Sequence, residues 1–163
     1  MPYTMPGLHL LRGAIDCHVH CAPHLNGRSV NVFEAVRQAA AAGMRAIGIM
    51  CNFQNTSGFA ALANDELGHL GCYAFGGVIM QPTAGGVTLE VAKAAIGYGY
   101  GPGSGARFAS LPTHHTRNVA IKEGRSPAFI ETTFFIPENN VIPDPVPAIM
   151  DLCACLLYTS RRG

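Results

Sequence analysis

The chain has 163 residues, of which 48% are hydrophobic and 13% are charged, and its formal net charge is +1. A soluble domain carries about 25% charged residues, so we expect much of this chain to be buried or to face another protein surface. No Lys/Arg cluster extends beyond Arg161 and Arg162, which argues against nucleic acid as a partner.

The apolar runs of the sequence are short. None approaches the roughly 18 to 20 residues that span a bilayer, and no basic segment leads into an apolar stretch at the N-terminus. We therefore expect a cytoplasmic protein with no membrane partner. The six cysteines form no C-x-x-C pair, so we expect reduced, largely buried thiols.

Short apolar runs alternate with helical patterns along the chain, which is typical of βαβ units and a parallel sheet. Four predicted strands start about 30 residues apart, the length that a strand, a helix and a return strand require. They cover residues 14–20, 45–51, 73–80 and 106–111. We predict that these strands are neighbours, parallel and in sequential order.

Three helices are predicted between these strands. Asn31 caps the first, Glu34 follows three residues later as in a capping box, and Gly43 ends it. The second helix is predicted over residues 57–67 and the third over residues 88–98.

The pattern is looser after the fourth strand. Residues 128–136 form an apolar run that is typical of a strand, and a last helix is expected to start near Pro147 and to stop early. Residues 155–163 look like a translated adapter sequence. We therefore expect one partial domain over residues 1–154, about four βα units long, followed by a non-native tail.

Residues 15–20, Ile-Asp-Cys-His-Val-His, carry the clearest chemical signal. In an extended strand, Asp16, His18 and His20 share one face, and the two imidazoles converge at the end of the strand. Imidazole is a good ligand for zinc and similar metals, and Asp16 suits either an orienting role beside the ligands or the role of a helper ligand. Barrel enzymes keep their catalytic groups at this end of the strands. We predict a metal site here, against the alternative of two neighbouring surface histidines.

Residues 13–28 are similar to the strand-one signature of the amidohydrolase superfamily. More narrowly, they resemble a group of uncharacterised amidohydrolase-like proteins that read D-x-H-x-H-x-x-P-D with an arginine shortly after. Less specific similarity continues through residues 41–47, 75–78 and 111–113. The resemblance implies an α/β fold, the N-terminal half of a distorted (β/α)₈ TIM barrel with parallel strands, and a metal at the carboxyl ends of the strands.

The resemblance also assigns roles to individual residues. His18 and His20 match the strand-one ligands, and Asp16 matches the acidic position before them. The remaining ligands and the general base are expected beyond Gly163, so we expect the chain alone to be inactive. His24 departs from the pattern, because the narrower group has aspartate at that position.

Six further residues are candidates for the same site. Three of them are histidines, His24, His114 and His115. Each could be an additional metal ligand, a group that contacts a ligand, or a substrate contact. Substrate binding could come from two arginines suited to anions and from an amide at the end of the second strand, Arg28, Arg117 and Asn52.

The leading interpretation is a metal-dependent hydrolase, with zinc as the preferred divalent metal. Activated water would attack a C–N, C–O or related bond of a small-molecule substrate. The closest alternative is a phosphoesterase of the polymerase-and-histidinol-phosphatase type, which also begins with H-x-H but normally continues with S-D-G. A third interpretation is a non-catalytic remnant whose open sheet edges favour a homo-oligomer.

Overall fold

Parallel strands and helices alternate along the part of the chain that this computed structural model describes, residues 6–100, 104–138 and 141–159. The strands are Ile15–Val19 (β1), Ala46–Ile49 (β2), Tyr73–Phe75 (β3), Gly77–Ile79 (β4) and Phe108–Ser110 (β5). The α-helices are Val32–Ala41 (α1), Ser57–Leu67 (α2), Leu89–Gly97 (α3), Arg117–Lys122 (α4), Pro127–Glu131 (α5) and Val146–Thr159 (α6). The fold is therefore of the α/β class.

The strands pair in parallel and in sequential order, which confirms the prediction from the sequence. β1 pairs with β2, β2 pairs with β3, and β4 pairs with β5. The predicted third strand is divided at Gly76, so the five strands form a three-stranded and a two-stranded sheet. Within the described ranges these sheets do not close into a barrel.

Thr56 fills the gap where the sheet divides. Its hydroxyl donates to the Ile49 carbonyl at 2.6 Å and accepts from the Gly77 N–H at 3.0 Å. Its own N–H donates to the Gly77 carbonyl at 2.9 Å, and the residue is only 1% exposed. A Cβ on Gly76 would lie 2.5 Å from the Thr56 backbone, so the close approach requires glycine. The backbone groups of β2 and β4 that do not bond to each other at this point thus bond to Thr56, in the loop before α2.

Helices cover one side of each sheet. α1 and α2 pack on the larger sheet through small and branched apolar side chains, among them Val32, Val36, Ala39, Ile47, Ile49, Ala60, Ala63 and Leu67. α3 and α6 pack on the smaller sheet through a second cluster, which includes Val78, Met80, Ala92, Ala95 and Ile149. The many alanines let the helices lie close to the strands, so the core forms without large side chains.

The helices between the strands agree with the sequence. At the start of α1, the Glu34 N–H donates to the Asn31 side chain at 2.9 Å, and the Asn31 N–H donates to the Glu34 carboxylate at 2.8 Å. The predicted capping box is therefore present. The second and third helices lie where the sequence places them, at Ser57–Leu67 and Leu89–Gly97.

The strand-like interpretation of residues 128–136 is wrong, because α5 occupies Pro127–Glu131. The Ser126 hydroxyl accepts from the Phe129 N–H at 3.3 Å, and proline stands in the first turn of the helix. Both features are helix-start signals, and here they outweigh the apolar run.

The last helix begins close to the predicted position but is longer than expected. It continues to Thr159, and residues 160–163 of the expected tail lie outside the described residues. In the described part of the chain, no helix has both the length and the apolar character needed to cross a membrane.

The Thr56 bridge predicts a specific loss of stability. Thr56→Val keeps the shape of the side chain but leaves the Gly77 N–H without its acceptor in a buried position. We expect the free energy of unfolding to fall by about 1–3 kcal/mol. Thr56→Ser keeps the hydroxyl and should retain most of that stability. Urea denaturation followed by circular dichroism measures both variants, and a Thr56→Val midpoint equal to wild type would contradict the bridge.

Candidate functional site

His18 and His20 lie together at the carboxyl end of β1. Because the two residues are separated by one position on extended backbone, their rings leave the strand on the same face. The two Nε2 atoms are 3.1 Å apart, and the ring centroids are 5.0 Å apart. Two imidazole nitrogens bound to one tetrahedral zinc would be about 3.3 Å apart. The pair therefore has the separation expected of two ligands of one ion.

The surroundings of His20 favour its neutral form. The pKa of this imidazole is lowered from its ordinary value, first by burial and then by the charges of His18, Arg28 and His24. The Met50 backbone acts weakly in the opposite direction. The Nδ1 atom is buried and has no well-formed hydrogen bond to the described residues. Since only a neutral imidazole offers a lone pair to a metal, this environment suits a ligand.

Asp16 acts on the backbone of β1 and not on the rings. Its Oδ1 accepts a hydrogen bond from the His18 N–H at 2.9 Å. This contact fixes the strand segment that carries the first histidine. In this structure the observed contact of Asp16 is with the main chain of the segment that carries His18.

His24 connects the histidine pair to the loop after β2. Its ring lies edge-on to the His20 ring with 5.4 Å between centroids, and 5.2 Å from the Phe53 ring. Its Nδ1 accepts from the Asn26 N–H at 3.1 Å, and the Arg28 guanidinium is 3.1 Å from Nε2. Burial and then the Arg28 charge lower the pKa of His24, while the Asn26 backbone contact opposes them. Both ring nitrogens are therefore in contact with protein groups.

A hydrogen-bonded chain joins the segments that follow β2, β4 and β5. The Asn52 amide donates to His114 Nε2 at 2.9 Å, and the Thr113 hydroxyl donates to Asn52 Oδ1 at 3.4 Å. Gln81 donates to the Thr113 hydroxyl and accepts from the His115 N–H, both at 3.1 Å. Because carboxyl ends of parallel strands meet at one edge, this chain lies on the same edge as the histidine pair.

Sequence reasoning found Asn52 but missed Gln81, which is only 4% exposed. Both residues directly follow a predicted strand. The same signal, applied to the third predicted strand, identifies Gln81.

The thiols of the buried cysteines Cys21 and Cys72 are unpaired, as expected, and burial raises the pKa of both.

The histidines after β5 do not join the pair. His114 uses Nε2 to accept from Asn52, and the His115 ring donates to the Thr132 carbonyl at 3.0 Å and packs 5.1 Å from Phe129. Across the residues whose positions are described, no group of three or more His, Cys, Asp or Glu side chains is placed to hold a metal ion. The arrangement thus supplies two converging imidazole rings and a neighbouring polar edge.

Arg117 lines a separate cavity beyond β5. Its guanidinium carbon lies 3.3 Å from the centre of the Phe135 ring. Its Nε is buried and makes no hydrogen bond with the described residues. The cavity has a volume of about 700 Å³ and includes Leu111 and Pro112, which directly follow the strand. The two arginines proposed from the sequence therefore lie in different surroundings, Arg28 beside His24 and Arg117 in this cavity.

Comparison with known proteins gives one match. Residues 13–157 match the model of DUF6282, a family of unknown function. The matched region begins just before β1 and includes all five described strands and most of α6. No curated protein and no solved structure matches the chain.

The contact between Asn52 and His114 predicts the tautomer of this histidine. Because the amide N–H donates to Nε2, a neutral His114 carries its proton on Nδ1. Long-range ¹H–¹⁵N spectra, recorded above the pH range in which histidine titrates, should show this form. Asn52→Leu removes the donor and should abolish the preference, whereas Thr113→Val should preserve it. Wild-type His114 in the Nε2–H form would contradict the contact.

Proposed function

The chain belongs to the family of unknown function DUF6282, and we propose that it is a metal-dependent hydrolase of the amidohydrolase type. His18 and His20 are the first two metal ligands. The observation that carries the proposal is the 3.1 Å separation of their Nε2 atoms at the carboxyl end of a parallel strand. The strand-one signature over residues 13–28, which resembles that of the amidohydrolase superfamily, supports the same assignment.

The proposed fold is the first half of a distorted (β/α)₈ barrel. β3 and β4 then count as one strand interrupted at Gly76, so four parallel strands follow one another with helices between them. In such barrels the catalytic groups stand at the carboxyl ends of the strands. The histidine pair and the polar chain from Asn52 to Gln81 occupy that edge.

His18 and His20 would hold a divalent ion here, most suitably zinc, and that ion would supply activated water for attack on a C–N, C–O or related bond. His18 and His20 would contribute the first two nitrogen donors. Catalytic zinc sites use three protein ligands and a water, so further donors are required to complete the set. Asp16 accepts a hydrogen bond from the His18 N–H and so holds the backbone that leads into the first of the two ligands.

The surrounding residues suit a small polar substrate. His24 and Phe53 form an aromatic wall beside the pair, with 5.2 Å between their ring centroids. Asn52, Gln81 and His114 belong to one hydrogen-bonded chain at the same edge. Polar groups of this kind can orient an amide or ester.

Metal binding tests the proposal directly. The His18→Ala/His20→Ala double variant should bind zinc roughly 10-fold or more weakly than wild type, because even partners of metal ligands cost that much when removed. His69→Ala is the matched control, since His69 is exposed and follows α2 away from the strand ends. Elemental analysis after dialysis against limiting zinc measures all three proteins. Equal zinc in wild type and double variant would refute the assignment.

The reaction class is tested with the same variants in a chain extended past Gly163 by the sequence that follows in the gene. Zinc- or manganese-loaded protein is assayed against amides, lactones and phosphate esters. Turnover of amides or lactones that disappears in the double variant supports the hydrolase. Turnover of phosphate esters alone favours the phosphoesterase instead.

A further inference from the structure

The cavity of about 700 Å³ beyond β5 is built by two chain segments. The N–H of Arg117 donates to the Phe134 carbonyl at 3.1 Å, and the N–H of Phe134 donates to the His115 carbonyl at 3.1 Å. These backbone bonds hold the segment after β5 against the segment after α5. The walls are mostly apolar and include Leu111, Pro112, Phe134, Phe135, Ile136 and Pro137. The volume lies within the range of about 300–1,000 Å³ that is typical of small-molecule sites.

Among the described residues that line this cavity, Arg117 is the one cation. Stacking on Phe135, at 3.3 Å from the ring centre, fixes the plane of its guanidinium group. Its Nε–H is buried and has no acceptor among the described residues. Among the described residues, the ion pair joins Arg125 to Glu123 and does not include Arg117. Buried donors are nearly always paired, so this N–H without a partner among the described residues is unusual.

We propose that the cavity binds a monocarboxylate with an apolar body and that Arg117 anchors the carboxylate. Because Nε is buried, the carboxylate would be held by the two terminal nitrogens, whose parallel N–H groups match its two oxygens. Glu138 also lines the cavity, and the described lining contains no second cation, so the charges there disfavour a dianion such as phosphate. The apolar walls suit an aromatic or branched hydrocarbon group.

The binding site involves neither His18 nor His20. If the carboxylate that binds here is part of the hydrolase substrate, then the substrate is a monocarboxylate with an apolar body. This statement about the substrate rests on the proposed function. Carboxylate binding itself requires no metal. The two proposals can therefore be tested separately on the same protein.

Phenylacetate is a suitable probe, with phenylacetamide as its neutral counterpart and inorganic phosphate as a competing anion. Ligand-observed NMR titrations of the metal-free chain should show phenylacetate binding at least roughly 10-fold more tightly than the other two. Arg117→Gln should weaken phenylacetate binding by roughly 10-fold or more, and Arg117→Lys should show an intermediate loss because it keeps the charge without the planar fork. Arg125→Gln should bind like wild type, since Arg125 stacks on Phe129 at 4.6 Å but does not line the cavity.

Several results would overturn the carboxylate site. These are equal binding of phenylacetate and phenylacetamide, preferential binding of phosphate, no binding of phenylacetate, and wild-type affinity in folded Arg117→Gln. The comparison of ligands on wild-type protein keeps the test decisive even where a variant does not fold. The His18→Ala/His20→Ala variant should retain phenylacetate binding. Persistent phenylacetate binding in a chain that binds no zinc would overturn the metal site alone.

Discussion

The hydrogen bonds of Thr56 hold together the two sheets on which the rest of the structure depends. β2 stops pairing with its neighbour where the chain passes Gly76, and the Thr56 hydroxyl and N–H then connect β2 to β4. The next residue, Ser57, is also buried and donates to the Tyr98 carbonyl at 2.9 Å, which ties the start of α2 to the end of α3. Thr56 therefore replaces sheet pairing at the point of division, while Ser57 joins two helices, and both sheets keep their carboxyl ends at one edge.

This arrangement explains why the polar residues after different strands lie at one edge. The larger sheet carries the histidine pair, and the smaller sheet carries Gln81. Arg28 has two opposing electrostatic effects at the pair of His18 and His20. Its charge helps to keep His20 neutral, but it would also repel a metal cation bound there. Burial is the larger cause of the lowered pKa of His20, and Arg28 is exposed, so water screens its repulsion. The balance favours a neutral donor.

The strands, their order and the first three helices could be predicted from the sequence because apolar periodicity and the Asn31 cap are local signals. The division at Gly76 could not, since it depends on Thr56, which is distant in the sequence and becomes a partner only after folding. For the site, the alternation of side chains along β1 predicted that His18 and His20 converge. The positions of His114 and His115 depend on Asn52 and Thr132, which no spacing rule connects to them.

The central claim is that His18 and His20 bind the same metal ion, and X-ray absorption at the zinc edge tests it most directly. The zinc-loaded chain should show two imidazole nitrogens at about 2.0–2.1 Å, and the spectrum of the double alanine variant should lose both. A wild-type spectrum with no imidazole ligands, or one dominated by sulfur at about 2.3 Å, would contradict the claim and move the site to the cysteines.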